Sequence, residues 1–195
     1  MTKIAFVGTG FVADYYMTTL QNHPGLQLAG VWDRDAARLS QFCDFHGARP
    51  YADMQSLLDD GDVRIVVNLT NPESHYAVNR ASLEAGKHVF CQKPLTLTIE
   101  EGQLIRRACE KHKDKAFLVG TQQRSARGLF LRAVNMVQKG LLGDIKKVTV
   151  GINGSPTGGP FAVEAPPKEL NWDMWLGQAP KVDYRTKRCH YEFRW

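Results

Sequence analysis

Two groups of residues in this chain have types and spacings that can do chemistry. The first is the run KIAFVGTGFVADYY, where Gly8, Gly10 and Ala13 form a G-x-G-x-x-A pattern between an apolar stretch and a helix-like one. Gly8 permits a tight turn, Gly10 has no Cβ to obstruct a pyrophosphate, and Ala13 lets helix and strand approach. The helix opens at Phe11 and Val12, whose backbone N–H groups are available to an anion. Asp33 closes the next apolar run, in VWDRD, 23 positions after Gly10. That is close to the spacing of about 20 residues for an acid that takes ribose hydroxyls. Asp33 could instead cap the helical segment that begins at Asp35. An aspartate there repels a 2′-phosphate and favours NAD over NADP, whereas Arg34 beside it could stack on adenine or pair with that phosphate, so NADP stays possible.

The second group surrounds FCQKPLT, residues 90–96, where Lys93 stands between Gln92 and a proline that fixes the next φ. Ligands of an open parallel sheet lie beyond the carboxyl ends of its strands, so Asn71, His75 and Lys93 would gather along one edge of one crevice. A lysine there can lower the energy of a developing alkoxide, although a surface lysine before a turn explains the same dipeptide. His75 would head a helix near the ligand or lie on the surface. Arg124 suits a carboxylate or polyol, or a helix-end salt bridge. Trp172 and Trp175 share a face if helical, as core packing or as a sugar platform.

These residues need a scaffold, and the sequence spells one. Apolar runs KIAFVG, LQLAGVWD, RIVVNLT, KHVFCQ and KAFLVGT read as strands. Between them, helices are predicted over Val12–Asn22, Asp35–His46, Asp53–Asp60, Pro72–Ala85 and Thr98–His112. Such alternation predicts an α/β fold, a doubly wound parallel sheet with helices on both faces. Gly86 is placed to close one helix, and Glu100 and Glu101 follow Thr98 in a first turn. Past Thr121 the pattern changes to one long amphipathic helix over SARGLFLRAVNMVQKGLLG, a strand over DIKKVTVGIN, and a Pro/Gly-rich stretch suited to a loop over a cleft. The predicted division is a dinucleotide-binding domain over 1–122 and the beginning of a second, incomplete α/β domain over 123–195.

Composition narrows the function classes. The 195 residues are 43% hydrophobic, enough for one full domain and part of another. Net charge is +5, but residues 1–122 carry 13 Lys and Arg against 14 Asp and Glu, while residues 123–195 carry 12 against 6. The excess is local to the tail, where YRTKRCHYEFRW interleaves aromatics with cations. No nucleic-acid-binding fold signature accompanies it, so a solvated or partner-facing segment is the expectation and no nucleic-acid partner is predicted. Cys43, Cys91, Cys109 and Cys189 have neither disulfide nor zinc spacing, and no metal is predicted. The absence of a signal sequence or a membrane-length apolar run predicts a soluble cytoplasmic protein with no membrane partner.

The blocks GTGFVA, LTNPESH, AGKHVFCQKPLT, GTQQRS and NWDMWLGQAPKVDY together resemble the Gfo/Idh/MocA oxidoreductases, which include glucose–fructose oxidoreductase and inositol dehydrogenase. The resemblance implies a Rossmann domain followed by a C-terminal α/β domain on an open sheet, with an E-K-P motif after the strand that here ends at Gln92. It implies that Lys93 meets nicotinamide and the hydroxyl of a sugar or cyclic polyol, and that Gln92, in place of glutamate, lies near the nicotinamide ribose. Gln122 and Arg124 at the domain junction are implied in cofactor and substrate contact. Relatives carry a further Asp and His motif beyond the equivalent of Trp195 and commonly form dimers or tetramers, so the chain reads as cut short, with His190 as a possible substitute base. Two other readings stay open: a non-catalytic dinucleotide-binding module or fragment, and an NAD-dependent glycosidase using transient redox.

Overall fold

The computed structural model describes residues 1–126, 128–152, 154 and 158–189. His190, the alternative base, and the end of the basic aromatic tail lie outside them. The chain forms two compact units, Met1–Leu141 and Leu142–Trp195.

In the first unit, five parallel strands stand in the order β2-β1-β3-β4-β5. They are β1 Thr2–Val7, β2 Leu26–Trp32, β3 Val63–Asn68, β4 His88–Gln92 and β5 Phe117–Gly120. Helices α1 Phe11–Leu20, α2 Ala36–His46, α3 Met54–Asp59, α4 Pro72–Glu84 and α5 Ile99–Lys111 connect them. Alternation along each strand divides the core. Ile4 and Phe6 of β1 pack with Ala13 of α1 and Phe42 of α2, while Ala5 and Val7 pack with Leu57 and Leu58 of α3 and Val78 of α4. Val89 and Cys91 of β4 join Leu83 of α4 and Ala108 of α5. The sheet is therefore doubly wound, as the apolar strands predict.

The helix boundaries have local causes. Asp53 and Thr98 each complete a capping box, with Ser56 and Glu101 respectively. Asp35 caps α2 by accepting the Ala37 and Arg38 amides. Gly86, at φ +72°, closes α4 while the Lys87 N–H reaches back to Ser82 O at 3.0 Å. One strand contact has no sequence signal: Pro50 forms a lone bridge beside Val31, the Val31 N–H donating to Arg49 O and the Tyr51 N–H to Val31 O.

The segment after β5 differs from expectation. Gln123–Ser125 is a 3-10 turn, and the helix, α6, covers only Phe130–Gln138, closed by Gly140 at φ +69°. The predicted strand over 144–153 does not form among the described residues: nothing there pairs with it, and a lone strand leaves its amides to water. Val148, Val150 and Ile152 are 75%, 79% and 90% exposed. In the second unit, α7 (Trp172–Leu176) stacks Trp172 on Trp175 with ring centroids 4.6 Å apart, and Tyr184 meets Trp172 edge-on. Trp172 donates its indole N–H to Val182 O, so that ring packs in this small aromatic cluster.

A buried polar joint ties β3, α4 and the chain after β4 together. Asn68 donates to Asn79 Oδ1 at 2.8 Å and accepts the Thr70 hydroxyl at 2.7 Å. His75, on the inner side of α4, is only 1% exposed, which corrects the surface alternative. Its Nδ1 lies 2.6 Å from Pro94 O and its Nε2 2.9 Å from Thr70 O. Carbonyls only accept, so the ring N–H is the donor in this joint. His75→Ala removes that donor and leaves a void. It lowers the unfolding free energy by about 3 kcal/mol in urea titrations, and a loss below about 1 kcal/mol would contradict the joint.

Candidate functional site

The strand order turns back between β1 and β3, and at their carboxyl ends lies a cavity of about 440 Å³. That is where open α/β sheets take ligands, and the size suits a small molecule or one half of a larger one. Gly8, Gly10, Phe11, Val12, Asp33, Arg34 and Asn71 all line it. Trp32, Arg38, Thr70 and Glu73 line it too, without having been singled out by the sequence.

The two glycines serve different ends. Gly8 has φ +96°, and a Cβ built there would stand 2.8 Å from both Leu69 C and Thr70 N. No side chain fits between those backbones, so Gly8 is demanded by the fold itself. Gly10 has φ −78° and ψ −176°, open to any residue, and a Cβ there would meet nothing within 4 Å. Its missing side chain thus satisfies no packing need and leaves room directly in front of α1.

The helix ends around the cavity differ from those of the other helices that connect the strands. The N-cap residues of α1 and α4, Gly10 and Asn71, line the cavity and make no side-chain capping bond. Asp35, Asp53 and Thr98, which cap α2, α3 and α5, lie outside the lining and do cap. Two helix N-termini therefore direct uncapped amides and positive dipole ends at one space, an arrangement suited to an anion and its polar neighbours.

Opposite them sits Asp33, 7% exposed. Its Oδ2 accepts the Thr9 N–H at 2.8 Å and the Thr9 hydroxyl at 3.1 Å, while Oδ1 accepts the Asp35 N–H at 2.9 Å. Burial alone would raise this carboxyl. The bonds from Asp35 and Thr9, with Arg38 nearby, outweigh burial and hold it below its ordinary range. Asp33 is thus a fixed carboxylate with lone pairs left for hydroxyl donors, and Asp35 is the cap of α2. These features fit an adenine dinucleotide: uncapped amides for the diphosphate, an ionised acid for a ribose, and an open approach at Gly10.

The remaining sequence candidates lie beyond the cavity lining. The register pairs Asn68 with Cys91 and Gln92 with Gly120, which aligns the exits of β3, β4 and β5. Lys93 is exposed at the β4 exit, and its backbone N–H donates to Gln92 Oε1 at 2.8 Å. Gln92 is itself buried, its side chain turned to that amide and against Gly120. Gln122 and Arg124 are exposed around the 3-10 turn after β5. His75 is absent from the lining, and its ring faces Thr70 and Pro94. Among the described residues no group of three or more His, Cys, Asp or Glu could hold a metal, and no helix is long and apolar enough to cross a membrane.

Comparison with known proteins gives the same picture. Residues 2–121 match the oxidoreductase family model described as an NAD-binding Rossmann fold, and residues 131–195 match the family's C-terminal alpha/beta domain. Inositol 2-dehydrogenase of Salmonella typhimurium is 30% identical over 144 residues, 72% of this chain and 43% of that protein. The chain thus spans less than half the length of the curated relatives it matches. The WlbA dehydrogenase of Chromobacterium violaceum, solved with NADH and UDP-GlcNAcA, is 28% identical with a TM-score of 0.64 over 72% of this chain and 41% of that one. Biliverdin reductase of Synechocystis, solved with biliverdin and NADP+, is 30% identical with a TM-score of 0.56 over 60% of this chain and 37% of that one. With its glycine turn, buried acid and switch-point cavity in the positions the family model covers, this chain belongs to the Gfo/Idh/MocA oxidoreductase family.

Proposed function

We propose that this chain is part of an NAD(P)-dependent oxidoreductase that transfers a hydride between nicotinamide and a hydroxyl of a sugar or cyclic polyol. The observation that carries the reading is the pair of uncapped helix N-termini, at Gly10 and Asn71, facing a buried, ionised Asp33 across one cavity. The amides of Phe11 and Val12 hold the diphosphate, Asp33 takes the adenosine ribose hydroxyls, Arg34 flanks the adenine, and Asn71 meets the cofactor from α4. The nicotinamide, when bound, supplies the hydride acceptor or donor.

Lys93 acts at the substrate end. Its ammonium lowers the energy of the alkoxide that develops as the carbon gives up hydride, and its place is fixed from two sides. Gln92 accepts its backbone N–H, and His75 lies against the carbonyl of the next residue, Pro94. In this reading His75 positions Lys93 and does not itself touch the cofactor. Gln122 and Arg124, after β5, extend the same edge toward nicotinamide and the polyol. Residues 1–122 form the dinucleotide domain and 123–195 open the substrate domain. The inositol dehydrogenase relatives and the sugar-nucleotide ligand of WlbA support the substrate class. Four unpaired thiols suit a reducing cytoplasm, and the exposed apolar residues Phe130, Val134 and Val137 along α6 suit self-association.

Two substitutions separate the parts. Gly10→Val meets no backbone restriction and its Cβ meets no neighbour, so the protein stays folded and loses only about 1 kcal/mol, the cost of a β-branched N-cap; NAD affinity by calorimetry falls at least about tenfold, because the new side chain occupies the diphosphate approach. Unchanged affinity would remove the cofactor from this turn. Lys93→Met lies outside the cavity and leaves NAD affinity within about threefold, while NADH formation across a polyol panel drops roughly 10²–10³-fold. Equal turnover in the two proteins would exclude Lys93 from the chemistry.

A further inference from the structure

Charge is unevenly shared along the carboxyl edge of the sheet. Past β1 and β2, acids and bases are mixed: Asp14, Asp33 and Asp35 stand with Arg34 and Arg38. Past β4 and β5 the acids stop. Residues 85–99 and 115–143 contain neither Asp nor Glu, and these stretches include both strands, the turns that leave them and α6. The first acids beyond β4 are Glu100 and Glu101, in the opening turn of α5. Glu101 Oε2 is already taken there by the Leu97 N–H at 2.8 Å and the Thr98 N–H at 3.3 Å.

Two exposed cations occupy the acid-free edge. Gln92 pairs with Gly120, so Lys93 follows β4 by one residue and Arg124 follows the neighbouring β5 by four. Among the described residues neither has an ion-pair partner, whereas Lys3, Arg38, Arg80, Arg106 and Lys115 of the same unit each have one. Gln92 keeps this edge uncompensated. Its Oε1 accepts the Lys93 N–H at 2.8 Å and faces Gly120, where an added Cβ would stand 3.0 Å from it. A glutamate carboxylate would accept the same amide from the same place. The turn therefore has no need of a neutral side chain, and what the amide alters is charge: the edge holds two cations and presents a field that draws an anion.

Resting on the oxidoreductase reading of the site, we propose that the substrate is an anionic sugar, one carrying a carboxylate or a phosphate, and that Arg124 and Gln92 set this preference. Arg124 grips the anion through paired, charge-assisted N–H donors, which a planar guanidinium offers to carboxylate and phosphate alike. Lys93 stays with the reacting hydroxyl, its charge undivided because Gln92 sets no carboxylate beside it. A neutral polyol leaves Arg124 in water and gains nothing from it.

The test is calorimetric titration of the full 195-residue chain, saturated with NAD+, using matched ligands: glucose, glucuronate and glucose phosphate; galactose, galacturonate and galactose phosphate; myo-inositol and inositol phosphate. At least one charged member binds about tenfold or more tightly than its neutral counterpart, and whether it is the carboxylate or the phosphate identifies the anion. Arg124→Gln removes that advantage and Gln92→Glu cuts it about threefold or more. Arg106→Gln, on a surface pair with Glu110, leaves it within about twofold. Added salt weakens binding of the charged ligand and not of the neutral one. Four results would overturn the assignment: a neutral sugar that binds as well as its charged partners, an advantage that survives both Arg124→Gln and Gln92→Glu, an advantage that Arg106→Gln removes equally, or no charged member binding to the NAD-loaded chain. Each of these leaves the dinucleotide reading standing. Failure of NAD+ to bind wild type removes that reading itself, a distinguishable outcome that takes this assignment with it.

Discussion

The close passage of two backbones at Gly8 governs the architecture of the N-terminal unit. The turn leaving β1 lies so near the exit of β3 that a single added carbon would collide with Leu69 and Thr70. That approach brings the start of α1, the end of β3 and the start of α4 to one point. Ala13, fully buried under α1, allows the same closeness one turn further on. The cavity is the space left where the strand order reverses, and its walls are chain segments that cannot separate without losing the sheet's central pairings.

Around that fixed point, polar groups divide the labour. Asp33 and Thr9 join the exits of β1 and β2, and Asn68, Asn79, His75 and Thr70 join β3 to α4. Pro94 is drawn into the second set by His75. Each buried polar joint costs desolvation that its hydrogen bonds offset, incompletely at Asn79, whose Nδ2 is buried without a partner, and both sit at the carboxyl ends of strands, where ligand contacts are made. Lys93 leaves the sheet immediately beside one of them.

Much of this was legible in the sequence because the signals are local. The five strands and the helices between them fall within a few residues of expectation, since caps such as Asp53, Thr98 and Gly86 act on their own neighbours. The glycine turn and Asp33 were legible for the same reason. What escaped depends on partners distant in the chain. The Pro50 bridge exists only because Arg49–Tyr51 passes beside Val31, where Gly30 has no side chain to keep it away. The burial of His75 depends on a carbonyl 19 residues further along. Arg38 gave no sign of facing the cavity, because its direction follows from where α2 packs. Residues 144–152 show the converse: alternation suited to a strand cannot by itself supply the neighbour a ladder needs.

The unfinished N-termini of α1 and α4 have a thermodynamic consequence. A molecule seated between them would complete the hydrogen bonding of two helices that the chain itself leaves incomplete, acting as a piece of secondary structure supplied from solution. Occupancy and folding then become linked quantities, and the filled protein resists opening at its central strands in proportion to how much of that molecule is present.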